Sequence, residues 1–83
     1  MALNVFEKNN RTVPPQSIIN DLINLYNQGQ FLVLDIQAQK LTKQFPKAFI
    51  VWNILGAANI NLNRFEKASK AFKRVTELNP NYA

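Results

Sequence analysis

Apolar residues recur along this chain at helical intervals, in four blocks divided by short polar breaks. Ile18, Ile19, Leu22, Ile23, Leu25 and Tyr26 share one broad face, so the spacing predicts a helix over residues 16–28. Gly29 ends it, being the residue best suited to a left-handed helix exit. Phe31, Leu34, Ala38 and Leu41 mark a second helix over residues 31–44, closed at Phe45-Pro46 because a proline disfavours helical geometry in the residue before it. Phe49, Trp52, Leu55 and Ile60 mark a third over residues 47–62. In the fourth, over residues 64–78, Phe65, Ala68, Phe72 and Val75 alternate steps of three and four, a buried stripe on an amphipathic helix.

The breaks themselves repeat. Asn63 follows Gly29 by 34 residues, and Asn79-Pro80 follows Phe45-Pro46 by the same distance. Asn tolerates a left-handed turn better than any residue except Gly, so the exchange keeps the backbone geometry. Four helices joined by very short turns give two antiparallel hairpins and an all-α fold. An ordinary four-helix bundle is the competing reading, and the matched turns at one offset argue against it. Residues 1–13 form a polar, aperiodic leader apart from Leu3, Val5 and Phe6. Residues 14–48 form the first unit, and residues 49–83 form the second with the first step of a third. The chain therefore reads as a fragment of something longer.

Composition removes most chemistry. Among 83 residues there is no Cys and no His, which takes away thiolate and imidazole metal ligands, disulfides and the commonest general base. Five acidic residues lie scattered, and two glycines cannot build a phosphate loop. No cofactor and no catalytic residue is expected, and the chain is read as no enzyme. No run approaches the roughly 20 apolar residues that cross a bilayer, and no signal peptide is visible, so a cytoplasmic site with no membrane contact is expected. The net charge of +5 is ordinary for a soluble domain.

Trp52, Leu55, Gly56, Ala68, Phe72 and Pro80 stand at the spacing of a tetratricopeptide repeat, and residues 49–82 resemble that family throughout. The resemblance implies an open right-handed stack of helical hairpins. Gly56 and Ala68 are small where two helices cross, Phe72 and Trp52 fill the space around the crossing, and Pro80 turns the chain toward the next unit. Asn59 departs from the pattern: the family usually has Tyr there, and Asn cannot fill that volume. Residues 15–48 are more degenerate. Ile18 aligns with Trp52, Leu22 with Gly56, Leu34 with Ala68 and Ala38 with Phe72, so large and small residues are partly exchanged. Asp21 aligns with Leu55, as suits a terminal repeat with one side in water.

The same resemblance implies a protein-protein interaction module whose first helices line a concave, peptide-binding surface. The matching positions are Ile19, Ile23, Tyr26, Asn27, Ile50, Asn53, Ala57, Ile60 and Asn61. Ile19 and Ile23 stand where one subgroup carries a Lys that clamps chaperone carboxylates, which excludes that clamp. Asn53 and Asn61 either bond a peptide backbone or are simply solvated. Leu32, Val33 and Ile36 are apolar where the second helix of a repeat usually meets water, and Phe72, Val75 and Leu78 lie where a further repeat would pack. A second copy, the leader or further chain would cover such surfaces, and self-association or packing of the leader is expected.

Lys67, Lys70, Lys73 and Arg74 alternate with Glu66 and Glu77 at i,i+4 spacing, which reads as a salt-bridged outer face and not a nucleic-acid surface. Phe65 and Phe72 are assigned to the buried stripe. The rival function is an accessory arm: the first repeat and the segment Phe45 to Trp52 are similar to N-terminal repeats of bacterial glycosyltransferases and sulfotransferases, which present substrate to a catalytic domain.

Overall fold

A computed structural model describes residues 13–81, and the leader residues Leu3, Val5 and Phe6 lie outside the described part. Four helices follow in order: α1 Gln16–Asn27, α2 Phe31–Gln44, α3 Phe49–Asn61 and α4 Phe65–Leu78. The described residues contain no strand. The helices lie within a residue or two of their predicted spans. α3 starts at Phe49 because Pro46 and Lys47 form a turn and Ala48 is extended, its N–H donating to the Phe45 carbonyl at 3.0 Å.

Both hairpins are closed by the same device. Gly29 and Asn63 have φ of 74° and 60°, the left-handed region. At the first turn Gly29 N–H donates to the Tyr26 carbonyl and Gln30 N–H to the Leu25 carbonyl, each at 3.0 Å. At the second, Asn63 N–H donates to Ile60 at 3.0 Å and Arg64 N–H to Asn59 at 2.8 Å. Each is a Schellman turn, in which a left-handed residue lets two N–H groups satisfy carbonyls at the helix end. The helix exits before proline also agree: Phe45 and Asn79 are extended, at φ −132° and −142°.

The core runs between the helices through Leu22, Leu34, Ala38, Val51, Leu55, Ala58 and Ala71. Leu22, Leu34 and Val51 are fully buried, each contributing about 1.5–3 kcal/mol relative to exposure. α3 sits centrally, packing against α4, α2 and α1. At the α3–α4 crossing, Gly56 leaves room for the Phe72 ring; a Cβ on Gly56 would sit 2.6 Å from two ring carbons. In the first hairpin the bulk lies on the other partner, since Leu22 and Ala38, the aligned positions, are both buried.

Four sequence expectations are revised. Val75 does not lie on an uncovered face: Ala68, Ala71 and Val75 form the buried stripe of α4. Phe65, assigned to that stripe, is 60% exposed, because as the first residue of α4 it falls to its side. Ile60 is also exposed and lines a shallow depression with Phe65 and Phe72. The outer ion pair is Arg74–Glu77 at 3.2 Å, and neither Lys73–Glu77 nor Glu66–Lys70 forms.

Candidate functional site

Between α1 and α3 runs a groove of about 200 Å³ lined by Ile23 and Tyr26 from one helix and Asn53, Ile54 and Ala57 from the other. Helical spacing builds it. Ile23 and Tyr26 are three apart on α1, and Asn53 and Ala57 are four apart on α3, so each pair shares a face. The small Ala57 lowers the floor, and the exposed Ile23 and Tyr26 form one wall. Tyr26 is held edge-on against Phe31, with ring centroids 5.4 Å apart at 73°. Asn61 Nδ2 donates to the Ala57 carbonyl at 2.9 Å and reaches the Tyr26 hydroxyl at 3.4 Å, linking the two helices at one end of the groove.

Of the nine residues expected on this surface, the structure brings Ile23, Tyr26, Asn53 and Ala57 together, with Asn61 at the end. Ile19 is 7% exposed and belongs to the core, because α1 turns that side toward the helices it packs on. Ile50 is half-buried against the core. Asn27 is exposed but outside the groove, and Ile60 faces the α4 side. Ile54 is the groove residue that sequence reasoning missed. It lies one position beyond Asn53, and its turn of the helix was assigned through Trp52 and Leu55 alone.

The packing residues are placed as follows. Gly56 and Ala68 are buried, and Phe72 covers Gly56 while remaining half-buried. Trp52 is half-buried, its Nε1–H donating to the Pro46 carbonyl at 2.9 Å, with the Arg74 guanidinium 5.9 Å from the ring centroid. Leu55 is buried, Leu78 half-buried and Pro80 exposed. Leu32, Val33 and Ile36 are 56%, 40% and 55% exposed, beside a shallow depression shared by Phe31 and Leu62.

A buried polar cluster also went unpredicted. Asp35, on α2, is 4% exposed and Asn59, on α3, is 1% exposed. Asn59 Nδ2 donates to Asp35 Oδ1 and to the Leu55 carbonyl, both at 2.9 Å. Gln39 Nε2 lies 3.1 and 3.2 Å from the two carboxylate oxygens, and Arg64 forms an ion pair with Oδ2 at 3.2 Å. Burial pushes the Asp35 carboxyl up. The hydrogen bonds from Gln39 and Asn59, with the Lys67 and Arg64 charges, outweigh it and hold the group below its ordinary 3.8. The signal was present in part: Asp35 interrupts the apolar stripe beside Leu34, and Asn59 breaks the repeat pattern. Their pairing across 24 positions was not legible.

Stacked helix-turn-helix units with matching turns define a helical-repeat protein. Residues 49–82 match the model of the tetratricopeptide repeat family. This second hairpin is similar to a tetratricopeptide repeat over its whole length, and the match does not extend to the first hairpin. No curated protein and no solved structure matches the chain. Repeats of this family generally mediate protein-protein interaction. No described helix is long and apolar enough to cross a membrane.

Proposed function

We propose that the chain is a protein-interaction module that binds an extended peptide in the groove between α1 and α3. The observation that carries this reading is the groove itself: apolar walls from both first helices of the two hairpins, with Asn53 and Asn61 as polar groups beside them. Apolar lining with few polar groups is the usual make-up of a binding cleft. The test is selection of peptides from a random library on the full chain, followed by mapping of backbone amide shifts. Selected peptides should move the resonances of Ile23, Tyr26, Ile54 and Ala57. Ile23→Glu should weaken them by about tenfold or more, as loss of a buried apolar contact predicts. Unchanged affinity in that variant would place the site elsewhere.

A second reading is self-association through Leu32, Val33 and Ile36, supported by their exposure on consecutive turns of one helix. Sedimentation of the purified chain distinguishes a dimer from a monomer. The accessory-arm reading draws no support from any feature of the described residues.

A further inference from the structure

α2 and α4 both pack on α3 but, among the described residues, make no close backbone contact with each other. The gap between them is a cavity of about 250 Å³, lined by Asp35, Gln39, Lys43, Lys67, Lys70 and Asn59 together with Trp52, Leu55 and Ala71. It is distinct from the α1–α3 groove. At 100° per residue, Trp52, Leu55 and Asn59 fall on one side of α3, and Asn53, Ile54 and Ala57 on the other.

Two features give this cavity a chemical preference. Its rim carries three exposed lysines, Lys43, Lys67 and Lys70, and its one carboxylate, Asp35, is already engaged by Arg64, Gln39 and Asn59. Lys67 shares its charge with Asp35, but three lysines outweigh one carboxylate, so an anion entering there meets net positive charge. At the inner end, the Asn59 amide is oriented by its own bonds: Nδ2 faces Asp35 and the Leu55 carbonyl, and the reverse orientation would set oxygen against a carboxylate. Asn59 Oδ1 is therefore a buried acceptor with no donor among the described residues. Unpaired acceptors at full burial are uncommon and costly. The space exists because position 59 is Asn and not a larger residue.

We propose that this cavity is a second binding site, for an acidic peptide segment: a side-chain carboxylate held by Lys67 and Lys70, a peptide N–H donated to Asn59 Oδ1, and an adjoining apolar side chain against Trp52, Leu55 and Ala71. A simple anion satisfies the lysines alone. A peptide supplies charge, donor and apolar surface together.

Trp52 is the single tryptophan of the chain, so its emission reports on the cavity. The full chain is titrated at low salt with N-acetylated, C-amidated Leu-Glu-Leu-Glu and with its Leu-Gln-Leu-Gln counterpart. The Glu peptide should give a saturable change in emission, and the Gln peptide a markedly weaker one. Lys67→Gln and Lys70→Gln, both at exposed positions, should each weaken binding about two- to fivefold, and added salt should do the same. Asn59→Leu, of similar volume, should abolish binding with circular dichroism confirming a folded chain; the lysine variants decide the matter if it does not fold. Ile23→Glu should leave this titration unchanged while weakening peptide binding in the α1–α3 groove. Absence of a saturable change, equal response to both peptides, insensitivity to the lysine variants, or an equal response to inorganic phosphate would overturn the proposal.

Discussion

Single residues set the two turns and the polar cluster. Asn63 at φ 60° holds a conformation that costs an ordinary L-residue about 1–2 kcal/mol. Asn63→Ala should lower stability by about 1 kcal/mol in urea unfolding, and Asn63→Gly should be neutral or stabilising. Equal loss in both would mean that the side chain, and not the backbone, matters there. This position was legible because only Gly and Asn suit the geometry, and both appear at one offset. Asp35 was not, since beyond Gln39 on its own helix its partners Asn59 and Arg64 come from α3 and the following turn. Its carboxyl is held below 3.8 in the fold. Its stabilising contribution is therefore present in full above that value and is lost as pH falls through the lower folded one. Thermal midpoints should drop on acidification through this range. In Asp35→Asn the drop should be smaller, and stability at neutral pH should be lower by about 1–3 kcal/mol because the ion pair and charged hydrogen bonds are gone. An acid limb of identical size in both proteins would assign it to other carboxylates.

At the scale of helices, the α3–α4 crossing depends on a single exchange of volume. Gly56 costs α3 about 1 kcal/mol of helix propensity relative to Ala, yet the Phe72 ring occupies the place of its missing Cβ. Overpacking by one methyl costs about 1–3 kcal/mol, partly relieved because Phe72 is half-exposed and can swing outward. Gly56→Ala should thus destabilise the wild-type chain by about 1 kcal/mol, and should stabilise a Phe72→Ala chain, where only propensity remains. The reversal of sign in a double-mutant cycle is the measurement; additive effects would show that the ring does not oppose the methyl. The second hairpin was readable because this exchange uses Gly and Phe at fixed spacing. The groove was readable only in part, since helical period places Ile23 and Tyr26 on one face but does not say how far α1 is rotated. That rotation buried Ile19, while Ile54 of α3, half-buried against the core, lines the groove it leaves.

For the whole molecule, the hairpins leave apolar surface on two sides. Leu32 and Ile36 are more than half exposed on α2, and Ile60 and Phe65 flank a shallow depression over Phe72. A second copy docked on the α2 patch would bind only folded chains and so raise their stability by mass action. In a domain this small, 1 kcal/mol moves the melting midpoint by about 4–8 °C. Raising the concentration from about 5 to about 500 µM should raise the midpoint by several degrees if the dimer forms in that range. The double variant Leu32→Lys and Ile36→Lys should remove this dependence without lowering the midpoint at the dilute end, because neither side chain contributes to the buried core. A midpoint independent of concentration in the unmodified chain would show that α2 does not pair with itself. A dependence that survives the double variant would move the contact to the face around Phe65.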